Sequence, residues 1–343
     1  MRILITVDPE IPVPPPTYGG IERIVNGLVN ALQLRNHEIG LIAHPESKCE
    51  ANAFYPWVGS KSQNRIDSWR NSCLLRQVTF AFRPDVVHSF SRILYMLPLL
   101  RSPFPKIMSY QREPTPRNVR LGAMLAKGSL SFTGCSEYIC NNGRVGGGEW
   151  RAVHNFVDTD LYQFEPVARP EAPLVFLSRI ERIKGAHTAI AVARRTGRKL
   201  IIAGNHAVSG PEFSYWKQEI EPVIGGDVEY IGPVDDVQKN ELLGRAAAMI
   251  VPIEWNEPFG IVFAEALACG TPVISCPRGA LTEIVRPGVE GFLIKTIDEA
   301  CDAVRNLGRI DRGACRRRAE QAFSLSVIAP QYEQLYRERI VGS

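Results

Sequence analysis

The sequence lacks the features that mark membrane-spanning, secreted and metal-dependent proteins. No apolar run reaches the roughly 18 residues that a membrane-spanning helix needs. Residues 1–7 continue into Asp8-Pro9 without the cleavage pattern of a secretory signal. The eight cysteines include no Cys-x-x-Cys pair and show no metal-ligand spacing with the six histidines. We therefore expect a cytoplasmic protein with reduced, mostly packed thiols and no bound metal.

A strongly biased composition is also absent. Hydrophobic residues make up 45% and charged residues 22% of the 343 residues, and the 28 glycines and 25 prolines follow no period. These values are close to the globular average and exclude disordered and fibrous proteins. A chain of this length exceeds what one hydrophobic core usually organises, so we expect two domains of roughly 150–200 residues.

Strand-like and helix-like segments alternate along the whole chain, which is typical of α/β proteins with parallel sheets covered by helices. A complete strand–helix–strand unit is visible at residues 3–43. The proline-rich segment 164–173 predicts a stiff linker, and a second series of strands and helices starts directly after it. We predict two Rossmann-like domains facing a central cleft, at residues 1–163 and 174–324, followed by an amphipathic helix at about 325–343.

The basic residues are unevenly distributed, although the formal net charge is only +4. Residues 61–127 contain 12 basic and 3 acidic side chains, and we expect no nucleic-acid partner. An amphipathic helix on an anionic membrane surface would explain the start of this window, and a solvated helix face is the alternative. The alternating basic and apolar residues are Lys61, Arg65, Ile66, Trp69, Arg70, Leu74, Leu75 and Arg76.

The loop after the first strand ends in Gly19-Gly20, at the start of a predicted helix. Adjacent glycines let backbone N–H groups approach an anion, and a helix N-terminus adds about half a positive charge. The loop is not a Gly-x-Gly-x-x-Gly motif, and His44-Pro45 replaces an acidic residue at the end of the second strand. The pattern argues against a dinucleotide-binding dehydrogenase.

Arg179 and Lys184 occupy a loop between a predicted strand and a predicted helix in the second half of the chain. Both side chains can reach an anion at that helix N-terminus, Arg179 in a bidentate fashion and Lys184 as a point charge. Simple solvation of the two side chains is the alternative to phosphate binding.

Glu257 and Glu265 flank the start of another predicted helix. Glu257 lies just before the helix N-terminus, and Glu265 lies roughly 7 Å further along the axis than the first helical residue. Two acids so placed could bind two polyols, one at each end of a diphosphate. Backbone N–H groups beside Glu257 could bind hydroxyls or phosphate oxygens; they belong to Phe259, Gly260 and Ile261.

The block Glu257-Pro-Phe-Gly-x-x-x-x-Glu-Ala-x-Ala-x-Gly-x-Pro-Val-Ile274 resembles the signature of retaining glycosyltransferases with the GT-B fold. This group is related to glycogen and sucrose synthases and to many bacterial surface-polysaccharide enzymes. The resemblance spans nearly the whole chain, and Glu-x7-Glu is its specific part. Other segments resemble the group's motifs in the same order: Tyr18–Glu22, Arg83–His88, His154–Asp158, Ser178–Gly185, Ile202–Gly204, Tyr230–Gly232 and Glu290–Leu293.

The resemblance implies a retaining, metal-independent transfer of a sugar from a nucleoside-diphosphate sugar, without a further cofactor. Glycan, lipopolysaccharide or glycolipid synthesis is the implied context, and the C-terminal helix would pack back on the first domain. Arg179 and Lys184 would bind the donor diphosphate, helped by the backbone of Gly20. The other implied donor contacts are Glu257 to the sugar, Glu265 to the ribose, the amides of Phe259, Gly260 and Ile261, and Ile231 and Val234 near the nucleobase.

The acceptor, a carbohydrate or a lipid-linked molecule, would bind the loops of the first domain. His88, Arg112 and Arg117 are the candidate contacts, the arginines for an anionic acceptor. Many relatives have a second histidine where this chain has Phe90, so a merely packed His88 is an open alternative. Asp158-Thr-Asp160 resembles a metal-binding Asp-x-Asp, but it lies in a linker motif and we expect a structural role. The enzyme would be cytoplasmic, with peripheral contact to the inner face of the membrane if the basic window binds lipid.

Two alternative functions remain open at this point. A sugar-nucleotide epimerase would need acids and bases at the inverted carbon, and the sequence offers no convincing set. A catalytically degenerate sugar-nucleotide-binding scaffold is favoured by Phe90. The presence of Arg179, Lys184, Glu257 and Glu265 argues against that scaffold.

Overall fold

A computed structural model describes residues 1–16 and 19–342, so that Tyr18 of the first motif lies outside the described residues. The chain forms two compact units. The first unit combines Met1–Asn155 with the segment from Leu325 onward, and the second unit is Phe156–Ser324.

Strands and helices alternate in both units. The strands are β1 (Arg2–Thr6), β2 (Glu38–Ala43), β3 (Ala53–Pro56), β4 (Val86–Ser89), β5 (Lys106–Tyr110), β6 (Leu130–Gly134), β7 (Trp150–Ala152), β8 (Leu174–Leu177), β9 (Leu200–Ala203), β10 (Val228–Gly232), β11 (Ala248–Val251), β12 (Val273–Ser275) and β13 (Gly291–Leu293). The α-helices are α1 (Gly20–Leu34), α2 (Arg65–Phe82), α3 (Pro116–Ala126), α4 (Glu137–Arg144), α5 (Ala186–Thr196), α6 (Gly210–Tyr215), α7 (Asp236–Arg245), α8 (Ile261–Ala268), α9 (Leu281–Ile284), α10 (Ile297–Arg305), α11 (Arg312–Phe323) and α12 (Leu325–Val341). Short helical turns of other types cover Ile93–Leu99, Arg182–Lys184, Trp216–Ile220, Glu221–Val223 and Leu307–Arg309.

The first unit is built on a seven-stranded sheet in the order β3-β2-β1-β4-β5-β6-β7. Its strand pairs are parallel. The central strands are apolar on both faces because helices cover both sides, as parallel sheets require. The strand order changes direction between β1 and β4. A ligand crevice is expected at the carboxyl ends of these two strands.

The second unit repeats this design with a six-stranded sheet in the order β10-β9-β8-β11-β12-β13. These strand pairs are also parallel. Here the strand order changes direction between β8 and β11. The loops that follow β8 and β11 carry the two basic residues and the Glu257 motif singled out in the sequence. The two sheets with their covering helices confirm the predicted α/β class with two Rossmann-like domains.

The boundary between the units lies earlier than the predicted domain boundary. The prediction placed residues 156–163 in the first domain and treated 164–173 as a linker, whereas both segments cluster with the second unit. Arginines of α11 hold this stretch in place: Arg316 donates to the carbonyls of Thr159 and Tyr162, and Arg312 donates to that of Glu165. The proline-rich segment is therefore fixed to the second unit by hydrogen bonds from α11.

The C-terminal helix α12 belongs to the first unit. Tyr336 places its hydroxyl 2.6 Å from Nδ1 of His88 in β4, and Glu333 accepts from Arg35 at the end of α1 at 2.5 Å. None of the helices in residues 1–16 and 19–342 combines the length and the apolar sequence needed to span a bilayer.

Candidate functional site

Lys184 and Glu257 form an ion pair beside the point between β8 and β11 where the strand order of the second sheet changes direction. Nζ of Lys184 lies 2.6 Å from Oε2 of Glu257, and the two side chains are only 10% and 12% exposed. The indole of Trp255 donates to the same carboxylate oxygen at 3.1 Å. Nζ of Lys184 also lies 4.5 Å from the centroid of that indole ring. One loop follows β8 and the other follows β11, so the sheet topology brings the two charges together.

The backbone around this pair is shaped by two glycines. Gly185 has φ of 80°, and a Cβ there would lie 2.2 Å from the carbonyl oxygen of Pro252. Gly279 has φ of 57°, and a Cβ there would lie 2.3 Å from the carbonyl oxygen of Glu257. The amide of Ala280 donates to that same carbonyl at 2.9 Å. Both positions require glycine because a Cβ would clash with the carbonyl oxygen, and the left-handed region adds a smaller conformational cost.

Helix α8 begins directly after Glu257-Pro-Phe-Gly260. Gly260 caps the helix with φ of 84°, and Ile261 is its first residue. The side chain of Phe259 is buried and packs edge-on against Phe323, so only its backbone is placed to meet a ligand. The N-terminal end of a helix favours negative charge. The predicted roles of the Phe259, Gly260 and Ile261 amides agree with this position and stay predictions.

Glu265 has its own set of partners, separate from those of Glu257. It is buried, and its Oε1 lies 2.7 Å from Nζ of Lys239 in α7. Lys239 also lies 3.2 Å from Asp236 and 5.3 Å from the ring centroid of Tyr162. Burial and the neighbouring Glu265 carboxylate hold the pKa of Tyr162 far above its usual value. Sequence reasoning missed Lys239 and Tyr162 because only the fold brings them to α8.

The remaining predicted donor residues lie in more open positions. Arg179 is exposed and lies 2.6 Å from Glu181, an arrangement that usually contributes little stability and is easily exchanged. Ile231 is exposed at the end of β10, and Val234 is half-buried in the loop that follows. Gly20 begins α1 in the first unit.

The first unit contains a pocket of about 480 Å³ at the carboxyl ends of β1, β4 and β5. Its polar lining includes Asp8 after β1, Arg92 after β4, and Arg112 after β5. Most of the wall is apolar, and its larger members are Phe90, Ile93, Leu97, Leu100, Met108 and Leu121. Arg112 is part of this lining, whereas Arg117 is exposed on α3 and is not. The acceptor role of both arginines stays a prediction.

His88 is fully buried, and this position corrects its prediction as an acceptor contact. Both ring nitrogens are engaged, with Tyr336 and with Ser109, each at 2.6 Å. Burial lowers the pKa of His88 to about 3, so the ring is neutral at physiological pH. The ring of Phe90 lies 4.3 Å from the imidazole and is itself part of the pocket wall. His88 lies inside a strand that is covered on both faces, so its side chain contacts other residues of the protein and cannot reach a substrate.

Asp8, in the lining of this pocket, is a largely buried carboxylate with a raised pKa. Within the described ranges 1–16 and 19–342, its buried Oδ1 has no hydrogen-bond partner. Burial, followed by repulsion from Glu10, raises the pKa of Asp8 from 3.8 to about 6, although Arg112 and Arg92 oppose the shift. The raised pKa reflects the cost of holding this carboxylate ionised without a partner.

A pH-dependent stability difference is expected for Asp8→Asn. Because the pKa is higher in the folded state, Asp8 stabilises the fold below pH 3.8 and this contribution is lost as the pH rises through about 6. The ionised group therefore costs up to about 3 kcal/mol at neutral pH. The Tm of Asp8→Asn minus that of the wild type should therefore be several degrees larger at pH 7.5 than at pH 4.5, at roughly 2–4 °C per kcal/mol. An equal Tm difference at both pH values would contradict this environment.

The outer face of α2 carries exposed apolar and basic residues. Ile66, Trp69 and Phe80 are 62%, 68% and 59% exposed. The exposed arginines on this face are Arg65, Arg70 and Arg76. Leu75, one of the apolar residues of the predicted surface-bound helix, instead packs wholly into the core and is not available to a membrane.

Comparisons with known proteins cover most of the chain. Residues 161–321 match the model of a family described as Glycosyl transferases group 1, and residues 18–161 match that of Glycosyltransferase Family 4. A D-inositol 3-phosphate glycosyltransferase of Mycobacterium marinum (strain ATCC BAA-535 / M) is 31% identical over 169 residues, 46% of this chain and 36% of that protein. The chain spans between about a third and about half the length of the curated relatives it matches.

Solved structures resemble the whole chain. AviGT4, a glycosyltransferase involved in avilamycin A biosynthesis, is 26% identical with a TM-score of 0.75, covering 100% of this chain and 98% of that one. HepE of Anabaena, in a complex with UDP-glucose, is 18% identical with a TM-score of 0.76, covering 98% of this chain and all of the other. The second likeness supports the fold alone.

Proposed function

This chain belongs to the group 1 glycosyltransferases with the GT-B fold, and we propose that it transfers a sugar from a nucleoside-diphosphate donor to an acceptor hydroxyl with retention of the anomeric configuration. The acceptor hydroxyl belongs to a carbohydrate or to a lipid-linked molecule, in the synthesis of a glycan, lipopolysaccharide or glycolipid. No metal takes part in this proposal.

The observation that carries the proposal is the buried pair of Lys184 and Glu257 at the topological switch of the second unit. The contact with Glu257 occupies one of the three N–H donors of the ammonium group, which leaves donors for a diphosphate. The N-terminus of α8 lies next to the carboxylate and adds positive potential there. A diphosphate and a sugar therefore find a cation, a helix end and a hydroxyl-binding carboxylate in one place.

In the proposed reaction the bond between the anomeric carbon and the diphosphate oxygen breaks, and a bond from that carbon to the acceptor oxygen forms. The proton of the acceptor hydroxyl passes to the departing diphosphate on the same face of the sugar. Lys184, Arg179 and the end of α8 stabilise the charge that develops on the leaving group. Glu257 binds donor hydroxyls, and Glu265, held by Lys239, orients the ribose.

The two glutamates do not act as the acid and nucleophile of a retaining glycosidase in this proposal. That mechanism needs two carboxyl groups about 5 Å apart with one sugar carbon between them. Glu257 and Glu265 instead have different partners, Lys184 and Lys239; Glu257 precedes α8, whereas Glu265 lies within it. Two separate binding roles fit this arrangement better.

The donor is tested by thermal stabilisation with UDP-, GDP-, ADP- and dTDP-sugars in EDTA. A donor at about 100 times its Kd should add roughly 2.7 kcal/mol to the stability. We expect a shift with one nucleotide only, and loss of that shift in Lys184→Met. The absence of a shift with every donor would contradict the proposal and favour a scaffold without donor binding. Product formation in a donor and acceptor mixture then separates transfer from epimerisation.

We also propose that the outer face of α2 contacts anionic lipid. Trp69 and Ile66 supply apolar side chains, and Arg65, Arg70 and Arg76 supply positive charge on the same helix. Basic residues near an anionic leaflet contribute about 1 kcal/mol each. Trp69→Glu should reduce co-sedimentation with phosphatidylglycerol vesicles at least about fivefold. Val145→Glu, which alters an exposed apolar residue elsewhere in the first unit, should not. Equal binding of Trp69→Glu and the wild type would contradict this contact.

A further inference from the structure

The segment 252–257, which follows β11, brings Trp255 to the ion pair of the second unit. The indole N–H of Trp255 donates to Oε2 of Glu257 at 3.1 Å. Nζ of Lys184 lies 4.5 Å from the centroid of the same indole ring. A shift of this ring would therefore change the hydrogen bond to the carboxylate and the contact with the ammonium group together. The contacts that fix the segment consequently bear on the candidate site.

Glu254, the residue before Trp255, attaches the segment in two ways. Its backbone amide donates to the carbonyl of Ile183 at 2.7 Å, which joins the segment to the loop after β8. Its side-chain oxygen Oε1 lies 3.3 Å from Nε2 of His187, in the first turn of α5. The side chains of His187 and Glu254 are 29% and 47% exposed, so their contact adds little to stability and its removal should leave the fold intact.

Tyr215, at the end of α6, determines which nitrogen of His187 carries the proton. The hydroxyl oxygen of Tyr215 accepts from the backbone amide of His187 at 3.1 Å, and Tyr215 is almost wholly buried. Its own hydroxyl proton therefore goes to Nδ1 of His187, 2.9 Å away. Burial lowers the pKa of His187, although Glu254 opposes the shift, so the ring is neutral at pH 7. A neutral imidazole that accepts at Nδ1 carries its proton on Nε2, which faces Glu254.

We propose that His187 is a positioning residue for Glu257. The hydrogen bonds run in one direction, from Tyr215 to His187 and from His187 to Glu254, and they hold the carboxylate of Glu254 in one place. The next residue, Trp255, is thereby oriented toward Glu257. The inference rests on the proposed transferase function, because it concerns the carboxylate that is proposed to bind the donor. No contact with the donor is assigned to His187 itself.

The position of the proton is tested by long-range ¹H–¹⁵N NMR spectra of the histidine side chains in the full chain. The signals of His187 are identified by their absence in His187→Gln. We expect the Nε2–H form in the wild type at pH 7.5, and loss of the preference for this form in Tyr215→Phe. The Nδ1–H form in the wild type would overturn the proposed hydrogen-bond chain.

The positioning effect is tested on the indole N–H signals of the five tryptophans, with Trp255 assigned by Trp255→Phe. His187→Asn keeps an acceptor near the hydroxyl of Tyr215 but is too short to reach Glu254, whereas His187→Gln extends an amide N–H toward Glu254. We expect His187→Asn to move the Trp255 signal toward its position in Glu257→Ala, and His187→Gln to keep it near that of the wild type. An unmoved Trp255 signal in His187→Asn would overturn the proposal.

Donor affinity connects this arrangement with the proposed reaction. The probe is the sugar nucleotide with the largest thermal shift among UDP-glucose, GDP-mannose, ADP-glucose and dTDP-glucose. We expect its Kd to rise at least about fivefold in His187→Asn, which corresponds to one hydrogen bond, and equally in Glu254→Ala. The double variant should lose no more than either single variant, and Arg195→Gln, at the other end of α5, should leave the Kd unchanged. A double variant that loses the sum of both single losses would overturn the path through Glu254.

The two kinds of measurement keep this inference separate from the proposed transferase function. Absence of binding by all four sugar nucleotides would count against the transferase, whereas the Trp255 signal would still decide whether His187 positions the segment. A moved Trp255 signal with unchanged donor affinity would overturn the role of His187 in donor binding alone.

Discussion

Glu257→Gln is expected to lower kcat/KM for sugar transfer at least about 1,000-fold, or roughly 4 kcal/mol of transition-state stabilisation. The amide keeps the shape of the side chain but loses the negative charge that lies 2.6 Å from Lys184. It therefore disturbs both the contact to donor hydroxyls and the position of the cation that faces the diphosphate. Initial rates with the donor identified by thermal shift, at saturating acceptor, measure the effect.

Stability must be separated from activity in this variant. Breaking one partner of a buried pair leaves the other charge uncompensated and can cost about 3–5 kcal/mol. The double variant Lys184→Met with Glu257→Gln removes both charges, and we expect it to regain much of the lost Tm without regaining activity. Glu241→Gln, on the exposed side of α7, is the matched control with unchanged rates. Turnover near the wild-type value in Glu257→Gln would refute the proposed role of Glu257.

Gly185→Ala is expected to destabilise the second unit strongly. The residue has φ of 80°, which costs about 1–2 kcal/mol for a residue with a side chain. The added Cβ would also lie 2.2 Å from the carbonyl oxygen of Pro252, and relief of such overpacking costs typically about 1–3 kcal/mol more. We expect about 2–5 kcal/mol of destabilisation, measured by denaturant unfolding, and weaker donor binding because Lys184 is the preceding residue.

Gly197→Ala supplies a matched control at the other end of the same helix. Gly197 follows α5 with φ of 65°, and a Cβ there would meet nothing within 4 Å. The Gly197→Ala variant has the conformational cost of a positive φ but no steric clash. Its free energy of unfolding should fall by about 1–2 kcal/mol, and its donor binding should be normal. If the two alanine variants lose the same stability, the close approach to Pro252 is not important.

Sequence patterns were sufficient for the architecture because buried apolar strands and amphipathic helices have clear sequence patterns. The strand–helix–strand unit predicted at residues 3–43 agrees with β1, α1 and β2. The short strands β3, β7 and β13 were not predicted. Each contains residues that are only partly buried, and β13 starts at a glycine, so these segments lack the continuous apolar run that marks the central strands. Their strand conformation depends on pairing with neighbouring strands.

The candidate site was only partly accessible from sequence. Glu257 and Lys184 were identified by motif, but their direct contact depends on the order of β8 and β11 in the sheet. Trp255 carries no spacing signal for its hydrogen bond to Glu257. The close approach of Gly279 to the backbone of Glu257 is evident only from the fold. Asp8 follows the first strand, but neighbouring residues give no indication that one of its oxygens is buried without a partner among residues 1–16 and 19–342.

The discontinuity of the first unit has a consequence for folding during synthesis. The rings of Tyr332 and Tyr336 in α12 pack against His88, and α12 leaves the ribosome after the whole of the second unit. The strands of the first sheet are complete long before α12 appears, whereas Phe156–Ser324 is contiguous and closes its own core earlier. Domains generally fold as units once all of their parts are available. We therefore expect the second unit to reach its native structure before the first unit.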